Sequence, residues 1–498
     1  MVIRDLARWL GPLFVGVVAI VATRIAMLPG VGFWDTAELQ TVAPLLGTAH
    51  PTGYPTYVLL GWLANFVLTP FGEPALRMNL FSGLCVAVAA AVTADLVRVL
   101  SRSAMIGVAA GLGLALATVA WRIGLQAEAH SLHLALTAIL FRLLVAWEID
   151  GQDRTLVAAT VVFGLAVGNH SLSLLLIPPI ALYVFAVEPA IIHRPRFIAG
   201  TALVLLVTVV AIFLELPLRA GPFRAPLVYG RPETWDGFWY VALAEQFRGS
   251  LIDPLGGFPG KLGDVIGRAV RAYGPIAPLL PLGLVATAIM RPRYALLSAT
   301  TAAITCIFAA SYDNADIERY YLVPLLIGWT WLAMLAAGLA TMVARDLGRG
   351  RRRPEPLMAV VLAFALLVPT AVDVPARYRA IDRSQDTSAA QWVERSLERM
   401  ATGAVIVSWW SYSTPLWYAQ LVQDRRPDIL IIDDRTRLDQ NLGGITDVID
   451  AKLPTRPVYV IRLDPVEVAE LERRYDLVYL DGSNAMGLTK VVGARVTS

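Results

Sequence analysis

The chain has 498 residues, of which 56% are hydrophobic and 16% charged, and its mean hydropathy is +0.60. Soluble domains carry about 25% charged residues, so this composition excludes an ordinary soluble protein and predicts an integral membrane protein. The formal net charge of +3 is too small to indicate a nucleic-acid partner. Cys85 and Cys306 both lie in apolar runs, so no disulfide framework is expected.

About eleven apolar runs are candidates to cross a hydrocarbon layer of about 30 Å. The first run follows Arg4 and Arg8 and has no small-residue cleavage site after it, which predicts an uncleaved first span. The runs cover residues 9–28, 78–97, 104–121, 131–147, 155–168, 171–187, 197–216, 275–290, 294–311, 322–343 and 357–372.

The arginines in the loops between these runs predict how the chain is oriented in the membrane. With the N-terminus in the cytoplasm, every short inner loop contains arginine, as the positive-inside rule requires. An odd number of spans then places the C-terminal tail outside. We therefore predict a transmembrane domain over residues 1–372, with large outer loops at 29–77 and 217–274. The inner-loop arginines are Arg98, Arg102, Arg154, Arg194, Arg196, Arg291, Arg293, Arg345, Arg349, Arg351, Arg352 and Arg353.

The first outer loop, "GFWDTAELQTVAPLLGTAHPTGYPTY", carries Asp35, Glu38 and His50. Asp35 and Glu38 are three residues apart and share one face if the segment is helical. They could stabilise a helix N-terminus, or one of them could act as a general base at the membrane surface. His50 precedes two X-Pro steps and a glycine, which predict a rigid extended turn. It could be a solvated surface residue or a functional one.

A second group, Glu128, His130 and His133, begins a later span in "QAEAHSLHLAL". Ionisable residues there either reach the interface or line a cavity. Their spacing is not HExxH, so a metal site is poorly supported and contacts to a polar substrate are favoured. His170, in "GLAVGNHSLSLLLIPP", lies at the outer end of a hairpin and could form an ordinary loop or bring a cationic donor to a phosphate.

Arg219 and Arg319 lie at ends of spans, where an arginine can extend to the interface or bind a lipid phosphate. Trp235, in the long outer loop, could be an interfacial anchor.

The tail from residue 373 to 498 changes character. Four short apolar strands alternate with amphipathic segments, which predicts a soluble extracytoplasmic α/β domain. No GxGxxG motif supports a dinucleotide site. The first predicted strand ends in "SWWSYSTPLWY", and ligands of open α/β sheets bind at the carboxyl ends of strands. These aromatic side chains could stack on a sugar or rest on the membrane.

Several ordered motifs carry a family resemblance over roughly residues 10–250. These are "FWDTAEL", "AHPTGYPTYVLLGWL", "RMNLFSG", "EAHSLHLAL", "FGLAVGNHSLSLLLIPP", "LPLRAG" and "PETWDGFW". They resemble the family of domain of unknown function 2723, the transmembrane protein 260-like GT-C glycosyltransferases of the protein O-mannosyltransferase type. The resemblance implies a polytopic, inverting enzyme that takes a sugar, with mannose favoured, from a polyprenyl-phosphate carrier.

The resemblance also implies roles for individual residues. Asp35 would be catalytic, with Glu38 as its neighbour. The acceptor would be an extracytoplasmic protein or glycan hydroxyl, and no cofactor would be required, since arginine and histidine can hold the phosphate. Separately from the resemblance, the arginine and alanine usage of the chain favours a bacterial source and hence a bacterial plasma membrane. The expected contacts to donor phosphate or substrate are His50, Tyr54, Glu128, His130, His170, Arg219, Trp235 and Arg319.

Three alternatives stay open at this point. A cell-envelope glycan or lipid glycosyltransferase of the same fold would have a nearly identical sequence pattern. A transporter would carry ionisable residues near the middle of its spans, where this chain has few. A scaffold or binding protein would leave the carboxylates of the first outer loop without a role.

Overall fold

The structure is a computed structural model that describes residues 2–254, 256–346, 355–484 and 486–495. These residues form mostly helix. The α-helices are α1 Val2–Ala26, α2 Trp34–Leu45, α3 Pro55–Val67, α4 Pro74–Ser101, α5 Ala104–Ala115, α6 Thr118–Ile123, α7 Ala129–Asp150, α8 Asp153–Asn169, α9 Ile177–Val187, α10 Pro195–Phe213, α11 Glu215–Ala220, α12 Trp235–Ala242, α13 Phe258–Tyr273, α14 Leu280–Met290, α15 Pro292–Ala309, α16 Leu322–Asp346, α17 Pro356–Ile381, α18 Ser388–Arg399, α19 Trp410–Trp417, α20 Asp434–Asp439, α21 Ile445–Lys452 and α22 Pro465–Arg474.

Shorter 3₁₀ segments and one π-helical turn connect them. The 3₁₀ segments are Thr69–Phe71, Ser171–Leu176, Pro189–His193, Glu245–Ser250, Gly274–Leu279 and Ile317–Tyr321, and the π-helical turn is Tyr418–Val422. The strands are β1 Val405–Ser408, β2 Leu430–Ile432, β3 Val458–Ile461, β4 Tyr475–Tyr479 and β5 Thr489–Ala494.

The chain is a multi-pass membrane protein, as predicted, but the number of strong spans is lower. All eleven predicted runs fall on helical segments. Within the described ranges, however, seven helical segments are both long and apolar enough to cross a membrane, and three further apolar helices are shorter. The number falls because several of the eleven apolar runs lie on helices that are too short to cross a membrane. The run 104–121, for instance, is broken because α5 ends at Ala115. The seven segments are Trp9–Ala26, Pro74–Ser101, Ala129–Asp150, Pro195–Ala220, Phe258–Met290, Ile317–Asp346 and Pro356–Ile381.

The described chain groups into two compact units. The first unit contains residues 1–27, 80–214 and 244–384, and the second contains 28–79, 215–243 and 385–498. Much of both predicted outer loops therefore belongs to the same unit as the C-terminal tail. The helix α17 extends past the predicted boundary at 372 and ends at Ile381. The basic cluster from Arg349 to Arg353, used above to orient the chain, lies outside the described residues.

Small residues bring helices of the first unit into close contact. A Cβ added at Gly107 would lie 2.5 Å from the Ala94 carbonyl oxygen, and one at Gly111 would lie 2.7 Å from that of Ala90. Gly107 and Gly111 are one helical turn apart, so α5 packs backbone to backbone on α4, as small-xxx-small pairs do in membranes.

In the second unit, the tail forms a five-stranded sheet in the order β2-β1-β3-β5-β4. Strand β1 lies parallel to β2 and β3, whereas β5 runs antiparallel to β3 and β4. Alternate residues of β1 face opposite sides: Ile406 packs with Trp392 of α18, and Val405 with Val448 of α21. The predicted α/β domain is confirmed, with β5 as an additional strand.

The glycine contacts give a test of helix packing. We expect Gly111→Ala to lower the thermal unfolding midpoint in detergent, because overpacking a close contact costs about 1–3 kcal/mol. The matched control is Gly200→Ala in α10, where an added Cβ meets nothing within 4 Å. There the higher helix propensity of alanine should leave the midpoint unchanged or raise it. Equal midpoints for both variants would contradict this account of the α4–α5 contact.

Candidate active site

Helix α2 positions the two carboxylates of the first outer loop. Asp35 lies in its first turn and Glu38 one turn later on the same face. At the other end, Leu46 adopts the left-handed conformation that closes the helix. The Arg219 side chain donates hydrogen bonds to the carbonyl oxygens of Leu45 at 3.0 Å and Leu46 at 2.8 Å. Arg219 thus caps the α2 C-terminus, where a positive charge is favourable.

The Glu38 carboxylate forms a buried relay with His50 and Tyr54. Glu38 is 1% exposed, and its Oε1 accepts a hydrogen bond from the His50 backbone N–H at 3.0 Å. Its Oε2 contacts His50 Nδ1, and His50 Nε2 lies 3.0 Å from the Tyr54 hydroxyl. Both ring nitrogens of His50 are therefore held by protein groups.

The "HPTGYP" turn needs its glycine. Gly53 has φ +75°, and an added Cβ would lie 2.9 Å from Val241 and 3.0 Å from Leu216. Tyr54 is the N-cap of α3, which begins at Pro55. The rigid turn predicted from the sequence is confirmed, and it brings Tyr54 back onto the His50 ring.

Asp35 differs from Glu38 in accessibility. Asp35 is partly exposed, whereas Glu38 is buried and occupied by His50. The neighbouring Trp34 is 53% exposed. Of the two carboxylates, Asp35 is the one that a substrate can approach.

Trp410 completes this cluster from the sheet domain. Its ring lies edge-on to His50 at 5.7 Å between centroids and to Trp34 at 6.2 Å. Trp410 is the first residue of α19, which follows β1. The sequence singled out the aromatic segment that contains Trp410, but not its contact with His50.

A second cluster lies in the first unit, around Glu128. Its Oε1 accepts hydrogen bonds from the backbone N–H of His130 at 3.2 Å and lies 2.8 Å from His130 Nδ1. Its Oε2 accepts from Arg319 Nη1 at 3.1 Å. Glu128 caps α7 through these contacts, and its own N–H donates to Ser82 at 3.0 Å.

Three histidine rings pack beside this ion pair at tilted angles, and we call His130, His133 and His170 the histidine cluster. The His130 and His170 rings are 4.7 Å apart, and His133 lies 6.2 Å from His170. Tyr320 packs on His130 at 5.2 Å. Tyr320 was not predicted, although it directly follows Arg319 in the sequence.

The charges in this cluster are fixed by their surroundings. Burial alone would raise the pKa of Glu128, but the Arg319 guanidinium and His130 outweigh burial and hold that pKa well below its usual range. Burial, together with His130, His133 and Arg319, lowers the pKa of His170 well below 6.5. His170 is therefore neutral at pH 7, beside an ionised Glu128–Arg319 pair. Within the described residues, no three His, Cys, Asp or Glu side chains form a group that could hold a metal ion.

The first unit also contains a mainly apolar cavity of about 340 Å³. Tyr273, Cys306, Tyr321 and Trp331 line it, together with the charged Arg268. Tyr321 belongs to the same 3₁₀ segment as Arg319 and Tyr320. This short segment therefore lines the cavity through Tyr321 and packs on the histidine cluster through Tyr320.

The predicted site residues thus separate into two sets. Within the second unit, Glu38, His50 and Tyr54 form the relay, and Asp35 lies on the same helix face as Glu38. Within the first unit, Glu128, His130, His170 and Arg319 form the other cluster. Trp235 joins neither cluster among its described contacts: it is 75% exposed and packs edge-on against Trp239 at 5.6 Å.

Residues 35–190 match the family model of the "Protein O-mannosyl-transferase TMEM260 N-terminal domain". The protein O-mannosyl-transferase TMEM260 of Mus musculus is 28% identical over 445 residues, which cover 82% of this chain and 59% of the mouse protein. The resemblance to the TMEM260-like family is thereby confirmed. The chain spans 59% of the length of this curated relative.

Solved structures give the fold. ArnT from Cupriavidus metallidurans bound to undecaprenyl phosphate matches with a TM-score of 0.59 and 13% identity, covering 96% of this chain and 97% of ArnT. The apo form of the same protein matches with a TM-score of 0.58 at the same identity and coverage. The chain has the fold of ArnT, and the fold class predicted from the sequence is confirmed.

The histidine cluster predicts a pH-dependent stability. The unfolded His170 binds a proton below about pH 6.5, whereas the folded residue, with its lowered pKa, does not. The unfolded state therefore binds more protons, and stability falls as the pH falls below 6.5, by up to about 1.4 kcal/mol per pH unit. In His170→Gln this contribution is absent, so the thermal midpoint should change less between pH 6.5 and 5. An equal change of the thermal midpoint with pH in the parent and in His170→Gln would contradict a neutral buried His170.

Proposed function

We propose that this chain transfers a sugar, with mannose favoured, from a polyprenyl-phosphate carrier to a protein Ser or Thr hydroxyl. The observation that carries the proposal is the pair of carboxylates on α2. Glu38 is buried and bonded to His50, whereas Asp35 is partly exposed on the same helix face. The name of the mouse relative supports a protein acceptor and mannose. The ArnT structure with bound undecaprenyl phosphate supports a polyprenyl carrier.

Asp35 is the proposed general base. The acceptor oxygen attacks the anomeric carbon while Asp35 takes the hydroxyl proton. The bond from the anomeric carbon to the phosphate oxygen breaks, and polyprenyl phosphate leaves with the electron pair. A single displacement of this kind inverts the anomeric centre. Glu38 acts as a positioning residue, because its two oxygens already hold His50.

The leaving phosphate needs positive charge and N–H donors. Within the first unit, Arg319 and the histidine cluster carry such groups and are the proposed phosphate-binding residues, and the charge-assisted bonds of arginine to phosphate are among the strongest in proteins. Glu128 orients Arg319 and His130, since its Oε2 accepts a hydrogen bond from Arg319 and its Oε1 contacts His130. The mechanism therefore includes no metal-dependent step.

The cavity in the first unit suits the isoprenoid chain. Its lining is mainly aliphatic and aromatic, and a volume of about 340 Å³ is within the usual size of ligand sites. Because Tyr321 lines it and Arg319 belongs to the same segment, a chain bound there would be anchored close to the phosphate-binding residues.

The proposed setting is a bacterial plasma membrane, with the N-terminus in the cytoplasm and the sheet domain outside. This orientation is supported by the arginines of the inner loops, such as Arg98, Arg154 and Arg194. In this orientation the helix α2 and its carboxylates lie on the side where secreted acceptors are found.

The role of Asp35 can be tested by mutation. We expect Asp35→Asn to reduce kcat for sugar transfer by about 10²–10⁴-fold, because the amide cannot take the acceptor proton. The control is Asp236→Asn, which also removes an exposed carboxylate from the first turn of a helix. It should keep parental kcat. Near-parental kcat in Asp35→Asn, or a larger loss in Glu38→Gln than in Asp35→Asn, would contradict the assignment of the base.

The role of Arg319 can be tested by binding. We expect Arg319→Gln to raise the Kd for polyprenyl phosphate at least tenfold, since a hydrogen bond to a charged group contributes about 1.5–3 kcal/mol. Because this change leaves Glu128 buried without its cation, the double variant Arg319→Gln/Glu128→Gln should be compared with it.

Both variants should lose affinity by a similar factor, whereas Arg154→Gln, at an exposed site in the same unit, should not. Recovery of parental affinity in the double variant would show that Arg319 only neutralises Glu128.

A further inference from the structure

Three parallel strands of the sheet domain end at one edge. Because β2, β1 and β3 are neighbours and run in the same direction, the residues that follow them lie side by side. Asp433 follows β2, Trp409 and Trp410 follow β1, and Arg462 follows β3. In open α/β sheets this edge is where ligands bind.

Arg462 is fully engaged within the protein. It is 1% exposed and donates to both oxygens of Asp434 at 2.9 and 3.0 Å, to Glu467 at 2.8 Å and to the Ser408 carbonyl at 3.1 Å. Its guanidinium also lies over the Trp409 ring at 5.1 Å. Arg462 therefore connects the ends of β3 and β1 and holds the Asp434 carboxylate in place.

Asp433, beside this network, keeps an unused acceptor. Asp433 is 1% exposed, and its Oδ1 accepts a hydrogen bond from the Thr436 N–H at 2.8 Å. The Arg435 backbone N–H also faces the carboxyl. Among the described residues, Oδ2 is buried and has no hydrogen-bond partner. Buried acceptors are nearly always paired, so this oxygen indicates a missing donor.

Trp410 keeps an unused donor at the same edge. Its indole Nε1 is buried and has no hydrogen-bond partner in the described part of the chain. The Trp410 ring lies edge-on to the rings of His50 and Trp34, with centroid distances of 5.7 Å and 6.2 Å. An interfacial aromatic anchor would direct its N–H to lipid headgroups or water, which does not fit a buried N–H.

Tyr229 links Asp433 to the relay. Burial raises the pKa of its hydroxyl, and the negative charges of Glu38 and Asp433 raise it further, against the opposing effect of Arg435. One hydroxyl therefore lies within electrostatic reach of both carboxylates. Because the Trp410 ring also lies 5.7 Å from the His50 ring, this edge of the sheet and the Glu38–His50 pair are neighbours within the second unit.

We propose that Trp410 and Asp433 form a pyranose-binding subsite. Asp433 Oδ2 accepts a hydrogen bond from a sugar hydroxyl, Trp410 Nε1 donates to a sugar oxygen, and the exposed Trp34 ring packs on the C–H face of the sugar. This inference rests on the proposed function, in which the ligand is the sugar carried by polyprenyl phosphate. A sugar residue of a glycan acceptor would offer the same chemistry.

The test compares the affinity of the full chain in detergent for polyprenyl-phosphate mannose with that for polyprenyl phosphate. We expect the parent to bind the mannosylated carrier at least tenfold more tightly. Asp433→Asn and Trp410→Phe should remove most of this difference and leave the Kd for the sugar-free carrier unchanged. The control is Asp464→Asn, because Asp464 also follows a strand and caps the next helix but is exposed at the carboxylate. It should keep the difference.

A parallel titration with methyl α-mannopyranoside separates the failure of the subsite from that of the proposed function. If the parent binds no carrier but binds the mannoside through Asp433 and Trp410, the subsite stands and the proposed donor is wrong. If the carrier affinities of Asp433→Asn are parental but its KM for a glycan acceptor rises tenfold, the subsite stands and holds the acceptor. If Asp433→Asn and Trp410→Phe match the parent in all three measurements, the subsite is overturned.

Discussion

The contact between the Glu38 carboxylate and His50 determines how the rest of the site can work. The Glu38 carboxylate is 1% exposed, and burying a carboxylate costs free energy unless hydrogen-bond donors contact it. Here the backbone N–H and the ring of His50 contact its two oxygens. This bond fixes the turn that returns Tyr54 onto the ring and brings His50 against Trp410. It also keeps Glu38 buried, which is why Asp35, partly exposed on the same helix face, is the proposed base.

Transfer from a polyprenyl phosphate makes modest demands on an enzyme, because the phosphate is already a good leaving group. It requires a base for the acceptor and positive charge for the departing phosphate. In the proposed mechanism these groups are the carboxylates on α2, and Arg319 with the histidines around Glu128. Because His170 stays neutral at pH 7, it can donate a hydrogen bond to phosphate without adding repulsion to Arg319.

The sequence alone was sufficient for features that depend on local pattern. Apolar runs marked the helices, alternating segments marked β1 to β4, and the "HPTGYP" turn was legible from its prolines and glycine. Features that depend on distant contacts were not predictable. The approach of Trp410 to His50, and of Arg319 to Glu128, joins residues far apart in the chain. Strand β5 follows a loop rich in glycine and contains Gly493, so its pattern is weak, and it is stabilised by pairing between β3 and β4.

The central claim is that this chain moves a sugar from a polyprenyl carrier to protein. The most direct measurement supplies purified full-length chain with polyprenyl-phosphate mannose, labelled in the sugar, and a membrane extract as acceptor, and follows the label through lipid extraction and protease digestion. The account predicts that label leaves the lipid phase and enters a fraction that protease renders soluble. Label that stays in the lipid phase, under conditions where the carrier is bound, would contradict the account.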